Sequence, residues 1–256
     1  MLSVPTLVSS IEEMEERKLR EEDLKRAILE AWSKRLGFSS DRFFLGTYFF
    51  FPDESKRGKG GIEQLSFERQ TVILYDPLLE DVFKSIEIQD ENPGDYLADL
   101  IRDSFLLLKK TSIKYLNPSN YVPFYPPAEF TVRRLNQGDR TAFYRFRNQC
   151  TREDLAEGFV ELDHVAVFGA LYEDEIVAVS SIIVWDEIAD IGIITMPDFR
   201  ELGLGKALGS RASEWAVINK KLIQYRHNVL NYGSLKVSRA LGFREYIVDQ
   251  EYSYRG

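Results

Sequence analysis

Residues 195–208 read Thr195-Met196-Pro197-Asp198-Phe199-Arg200-Glu201-Leu202-Gly203-Leu204-Gly205-Lys206-Ala207-Leu208. The apolar run Ile191-Gly192-Ile193-Ile194 leads into them. Pro197 has no N–H to give a strand ladder, so the run stops there. Gly203 and Gly205 follow, and the pattern after them is helical. The order is strand, glycine loop, helix. A helix that starts this way leaves its first backbone N–H groups free and aimed at one point. The helix dipole adds positive potential there, so the place suits a phosphate.

A second pattern lies downstream: Asn231-x-x-Ser234-x-x-x-Ser238-x-x-Leu241-Gly242-Phe243. Ser234, Val237 and Leu241 fall on one helical face, and Gly242 suits the left-handed position just past a helix end. Together the two stretches resemble the acetyl-CoA loop and the following helix of the GNAT superfamily of N-acyltransferases. The first is carried by Arg200, Gly203 and Gly205 after Thr195 and Pro197, the second by Asn231, Ser234 and Leu241-Gly242-Phe243. The resemblance covers about the last half of the chain. It implies an α/β GNAT fold, a mixed central sheet flanked by helices.

It also implies roles. The amides of Leu202, Gly203, Leu204, Gly205, Lys206 and Ala207, with Arg200, would hold the CoA pyrophosphate. The strand residues Ile193, Ile194 and Thr195 would pair with the pantetheine arm, with Asn231 and Ser234 beside it. Two positions depart from the family. Glu201 stands where glycine is common, which is tolerable if its side chain points to solvent. Ser238 stands where many members carry tyrosine, and a serine hydroxyl is a far weaker acid than a phenol.

Acyl transfer to an amine needs an uncharged nucleophile, a donor for the carbonyl oxygen and an outlet for the thiolate. The resemblance points to a strand N–H, Ile194 or Thr195, as the carbonyl donor. Glu187, thirteen residues before Arg200, has a spacing similar to that of the catalytic glutamate of histone-acetylating members. Asp190 is the second candidate, and strand alternation puts the two on opposite faces. Solvated charges at a strand start explain either one equally well. Ser238 occupies the proton-donor position, and Tyr232 is a nearby phenol that the sequence does not place. His227 reads as a structural histidine and Cys150 as packing.

The 256 residues carry a net charge of −8, with one cysteine and two histidines. Neither half has an excess of basic residues, so a nucleic-acid backbone is not an expected partner. One cysteine excludes an internal disulfide and a cysteine-rich zinc site, and no metal is expected. No stretch reads as a membrane span or a signal peptide, so the cytoplasm is the expected location. The expected partners are acetyl-CoA and an amine, and the oligomeric state, a homodimer included, stays open. The leading expectation is an acetyl-CoA-dependent N-acetyltransferase acting on a small molecule, amino acid or peptide amine. The alternatives are a catalytically weak acyl-CoA sensor and an interaction module.

Four of the nine prolines fall in 117–127, which places an expected boundary between a domain 1–126, a smaller α/β unit of unread role, and a GNAT domain 127–256. Within the first, residues 6–36 read as helix with a break, the aromatic run 42–51 as a buried strand, and 52–61 as an exposed loop. Its Arg57-Gly58-Lys59-Gly60 looks like a second CoA loop, but the Asp53-Glu54-Ser55-Lys56 before it does not read as a strand and no clear amphipathic helix follows. Residues 71–75 read as a strand, 77–86 as a helix capped by Asp76, 90–95 as a turn, and the next helix runs to about Lys110. Within the second, strand 130–135, helices 137–150 and 153–162, strands 164–172, 176–185 and 188–195, the long helix, strand 222–230, helix 234–241 and strand 244–254 follow the usual GNAT order.

Overall fold

The computed structural model describes residues 20–87 and 93–255. The first apolar stripe of the expected N-terminal helix (Leu7, Ile11, Met14) and residues 90–92 of the expected turn at 90–95 lie outside the described residues, while 93–95 open a helix. The chain forms two compact units interleaved in sequence. One holds Lys114–Arg244 with the described part of Met1–Ala31, the other Trp32–Ile113 with Glu245–Gly256. The expected single cut at 126/127 would divide the first of them.

Helix α1 (Glu21–Leu36) runs through the point where the chain passes from one unit to the other. In the second unit, α2 (Ser40–Leu45) precedes β1 (Tyr48–Pro52), so the aromatic run 42–51 is a helix and then a strand, not one strand. Gly46 makes the break: a Cβ there would lie 2.5 Å from the Phe49 ring. β2 (Gly61–Ser66) and β3 (Thr71–Tyr75) follow, then α3 (Glu80–Glu87), α4 (Pro93–Ser104) and β4 (Phe105–Leu116). The expected helix to Lys110 thus stops at Ser104. The spacing of Leu97, Ile101, Ser104 and Leu108 imitates a helical stripe, yet Phe105-Leu106-Leu107-Leu108 is a short apolar run that suits a strand equally well. Strand order here is β1-β3-β2-β10-β4, where β10 is Arg244–Tyr254.

The unit that carries the glycine loop is built on β5 (Thr131–Arg134), β6 (Ala166–Tyr172), β7 (Glu175–Trp185), β8 (Ile188–Thr195) and β9 (Leu222–Asn228). The sheet is mixed: β8 is antiparallel to β7 and parallel to β9. α5 (Arg140–Gln149) and α6 (Arg152–Gly158) supply one side, α7 (Leu204–Ile218) and α8 (Tyr232–Ala240) the other. Alternation sorts the strand residues. Ile191, Ile223 and Tyr225 pack with Leu204, Leu208 and Ala212 of α7. Val179 and Ile194 pack with Phe143 and Phe146 of α5. α6 ends at Gly158, with Phe159 in the left-handed region at φ 42°, so the expected helix to Leu162 is one turn shorter.

Residues 117–127 are not a linker. Asn117 caps a short turn by accepting from the Ser119 N–H. The Val122 N–H donates to Leu241 O, and the Phe124 N–H to Ser210 Oγ at 3.1 Å. The partly buried Tyr121 phenol bonds Ser210 Oγ and donates to Glu214 Oε1. Gly242 takes φ 92°, and a Cβ there would meet the Asn120 carbonyl oxygen at 2.0 Å. The proline-rich segment is therefore a strap packed on α7 and the end of α8.

Candidate active site

Two strands and a helix start define the site. β8 and β9 pair in register from Ile188↔Leu222 to Ile191↔Tyr225. Beyond that β8 continues to Thr195 and β9 to Asn228, so the two strands part into a wedge. Met196 donates its N–H to Val177 O across the β7–β8 ladder. Antiparallel pairs alternate between bonded and non-bonded, so the Ile194 N–H faces β7 while those of Ile193 and Thr195 face the wedge. Of the two expected carbonyl donors, Thr195 has the right direction and Ile194 does not; Ile193, closer to where pairing ends, joins it.

Past the wedge the chain turns through Pro197–Phe199 and reaches α7. Gly203 is its N-cap residue at φ 85°, a conformation glycine takes without strain. The Ala207 N–H is spent on the Gly203 carbonyl, which leaves the first N–H groups, Leu204, Gly205 and Lys206, facing outward. The side chains of Leu204 and Ala207 are buried. Leu202 is exposed. Glu201 sits at φ 65° with its side chain 88% exposed, the solvent-facing placement that makes a non-glycine tolerable there. Arg200 closes the loop: Nε donates to Thr195 O at 3.2 Å and Nη2 to Asp154 Oδ1 at 2.6 Å. The Lys206 ammonium lies 4.2 Å from the centre of the Phe124 ring.

On the far side of the wedge, Asn231 Oδ1 caps α8 through the Ser234 N–H, and Nδ2 donates to Glu157 Oε2 at 2.7 Å. α6 thus holds both flanks, Asp154 on the loop and Glu157 on α8. A Cβ on Gly192 would meet the Gly158 carbonyl oxygen at 2.0 Å, so only glycine lets this helix lie against β8. The i, i+3 spacing of Asp154 and Glu157, one helix face, is the signal from which their shared role could have been read. Tyr225, at the apex, is buried. Burial pushes its phenol up to about 12, with the Ser234 side chain opposing and the Glu157 charge reinforcing.

The sequence-derived catalytic residues fall differently. Glu187 occupies the β7–β8 turn, 66% exposed and 3.3 Å from Lys221 Nζ. Eight residues of strand separate it from Thr195, about 26 Å at the usual rise. Asp190 is buried one residue short of the apex, its carboxylate 2.7 Å from Arg226 Nη2. Ser238 is buried and donates to Leu235 O at 3.1 Å, while Lys114 Nζ donates to it at 3.1 Å. That hydroxyl proton is committed to the backbone. Tyr232 is exposed at the start of α8. His227 packs its ring 6.2 Å from Tyr225 and places Nδ1 2.8 Å from Asn228 O. Cys150 is half-buried, and burial raises its thiol to about 11, against a nucleophilic role. Among the described residues no three metal-binding side chains cluster, and no helix is long and apolar enough to cross a membrane.

Comparison with known proteins agrees with this geometry. Residues 132–243 match the model of the acetyltransferase (GNAT) family. An acetyltransferase of the GNAT family from Colwellia psychrerythraea is similar in structure, with TM-score 0.52 and 14% identity over 72% of this chain and 76% of that one. A GCN5-related N-acetyltransferase from Kribbella flavida gives TM-score 0.48 and 16% identity over 71% and 77%. At 14% identity the likeness to the Colwellia protein is one of fold. No curated protein matches the chain.

Proposed function

We propose, from the premise that residues 132–243 belong to the acetyltransferase (GNAT) family, that the protein transfers an acetyl group from acetyl-CoA to a primary amine of a small molecule, amino acid or peptide. The observation that carries the reading is the wedge between β8 and β9, opening toward the free N–H groups of α7. An extended pantetheine arm fits beside β8, pairing with Ile193 and Thr195, while its pyrophosphate meets the amides of Leu204, Gly205 and Lys206. The thioester then lies near the apex, where the Ile193 N–H is aimed at the oxyanion.

The attacking amine must be uncharged. Glu157 is the carboxylate at the mouth of the wedge; Asp190 is the nearer of the two sequence candidates and Glu187 the farther. Glu157→Gln, Asp190→Asn and Glu187→Gln, compared for the acidic limb of the rate profile, decide among them: the base variant loses that limb and about 10²-fold in rate. The competing reading, an acyl-CoA sensor, is favoured by the committed hydroxyl of Ser238. Calorimetry with CoA and release of free thiol across an amine panel separate the two. Binding with thiol release supports the transferase, binding without it the sensor, and no binding overturns both.

A further inference from the structure

We propose that Arg226 reads a carboxylate on the acceptor, so that the amine this protein acetylates belongs to an amino acid. The inference rests on the acetyl-CoA reading above and names the acceptor within it. Alternation sorts the walls of the wedge. Ile191 and Tyr225, the last residues paired between β8 and β9, face α7 and α8. Asp190, Gly192, Gln224 and Arg226 therefore face the other way, toward α6, whose Gly158 carbonyl lies against Gly192. The first face is taken up by the helix that presents its N–H groups to the pyrophosphate, so the acceptor reaches the thioester from the α6 face. Arg226 is the first β9 residue past the last pair, and its side chain stands at that opening.

Two observations point to an anionic group. The guanidinium is held but not filled: Nη2 lies 2.7 Å from Asp190 Oδ2, with the Asp190 side chain 8% exposed and that of Arg226 46% exposed. Asp190 is its one ion-pair partner among the described residues, and a guanidinium carries five N–H donors in a fixed fork. The buried carboxylate thus orients the arginine and leaves most of its fork for a ligand. Gln224, the register partner of Asp190, is buried; its Oε1 accepts from the Tyr115 hydroxyl, while Nε2 has no partner among the described residues. The same face therefore holds a second donor without an acceptor. Because Asp190 offsets one charge, selection comes from the planar match of fork to carboxylate more than from net attraction, which is why the residue is arginine and not lysine. One step beyond the register, Arg226 stands level with Gly192, one residue or about 3.3 Å before Ile193. The amine and carboxylate of an amino acid suit that short separation. In the transfer the amine nitrogen bonds the acyl carbon, the carbon–sulfur bond breaks with its electron pair on sulfur, and the surplus amine proton leaves to a carboxylate at the mouth or to water. Arg226 exchanges no bond or proton, so it acts on KM and not on kcat.

The test uses the full chain, acetyl-CoA and matched acceptors: amino acids, their carboxamides, the amines left when the carboxyl group is removed, and an aminoalkyl phosphate. Rates are compared per uncharged amine, since the amine pKa differs among them. Wild type should prefer the amino acid over its carboxamide by about 10–10²-fold in kcat/KM. Arg226→Gln should raise KM for the amino acid by that factor and leave the carboxamide unchanged, and Arg226→Lys should recover only part of the loss. Asp190→Asn should raise the same KM by less, with the acidic limb of the rate profile in place, as befits a positioning residue. Arg226→Gln leaves Asp190 without its partner, so melting curves accompany it, and the double variant Arg226→Gln/Asp190→Asn, which removes both charges, should show the same lost preference. Equal wild-type kcat/KM for amino acid and carboxamide, or a preference that survives in both variants lacking Arg226, overturns the assignment and leaves the acetyl-CoA reading standing. A stronger preference for the aminoalkyl phosphate overturns it as well. Should the protein bind CoA yet release no thiol, calorimetry of the same acceptors into the CoA-loaded protein reads the preference without turnover. If wild type binds no CoA, the acetyl-CoA reading fails and this assignment falls with it.

Discussion

Two glycine loops in this chain look alike as sequence and differ in what their N–H groups do. Arg57-Gly58-Lys59-Gly60 and Arg200-Glu201-Leu202-Gly203 both join a strand to the next element, and Gly58, Gly60 and Gly203 all take positive φ. After Gly60 comes β2; after Gly203 comes α7. The first loop closes on an internal anion. Asp76 is buried and accepts from the Gly60 N–H at 2.8 Å and the Leu78 N–H at 3.0 Å. The second ends at a helix whose first N–H groups, among the described residues, meet no carboxylate of this kind. A glycine-rich loop is an anion site only when the protein has not already supplied the anion.

The largest expected effect comes from Gly203→Val. A Cβ there would lie 2.9 Å from the Phe124 ring, and the φ of 85° is one a β-branched residue avoids. CoA affinity should fall by about 10²-fold or more in calorimetry, as the backbone can no longer present its amides. Gly58→Val shares the backbone penalty at φ 74° but meets nothing within 4 Å. It should cost about 1–2 kcal/mol of stability and leave CoA affinity unchanged. Equal loss of affinity in both variants would erase the distinction between the loops.

How much of this was legible in the sequence follows from the physics of each element. The strand, loop and helix around Gly203 were readable because Pro197, two glycines and a helical period each have a local cause. The rejection of 57–60 was readable from the missing helix, but its Asp76 anchor was not, since sixteen residues separate Gly60 from its partner. The strap was misread because prolines mark a linker and a rigid packed segment equally; Tyr121 and Phe124 are what hold it to α7. Tyr225 and Glu157 escaped notice because no motif names them. Only the register of β8 against β9 shows where the wedge opens.

Next in size is Asp76→Asn. Burial alone would raise this carboxyl, but its N–H donors more than offset that and hold it below the ordinary carboxylate range. A depressed folded pKa gives stability that is fully present above the unfolded value of about 3.9 and is lost as pH falls through the folded one. The variant should melt lower at neutral pH, and part of the wild-type acid limb of melting temperature against pH should vanish. CoA affinity should not move. A variant with the wild-type acid limb would show that the loop does not depend on this charge.

Phe124→Ala tests the strap beside the second loop. The ring lies against Gly203 and under the Lys206 ammonium, a contact of about 0.5–1 kcal/mol at a partly exposed site. Limited proteolysis should leave 117–127 intact in wild type while cutting 52–61, and the variant should become cleavable in the strap. Cleavage of the wild-type strap as fast as of 52–61 would contradict the packing of Tyr121 and Phe124.

The smallest effect separates Gly203 and Gly205 of the second loop from each other. Gly205 lies inside α7 with helical geometry, so it carries no φ penalty of the kind Gly203 would impose on a side chain. A Cβ there would sit 3.2 Å from Val237 Cγ2 and 4.0 Å from Thr195 Oγ1. Gly205 therefore serves the approach of α8 to α7 as much as any ligand, and Gly209, one turn on, does the same against Leu241 and Val237. Alanine in a helix interior gains about 1 kcal/mol over glycine, while crowding of Val237 takes back an amount set by how far α8 can shift. Gly205→Ala should thus change stability by less than about 1 kcal/mol and CoA affinity by only a few-fold. Adding Val237→Ala should relieve the crowding and return the affinity. If Gly205→Ala alone loses binding as completely as Gly203→Val, and Val237→Ala does not restore it, the phosphate itself must approach Gly205 closely, and the helix-packing account of that residue is wrong.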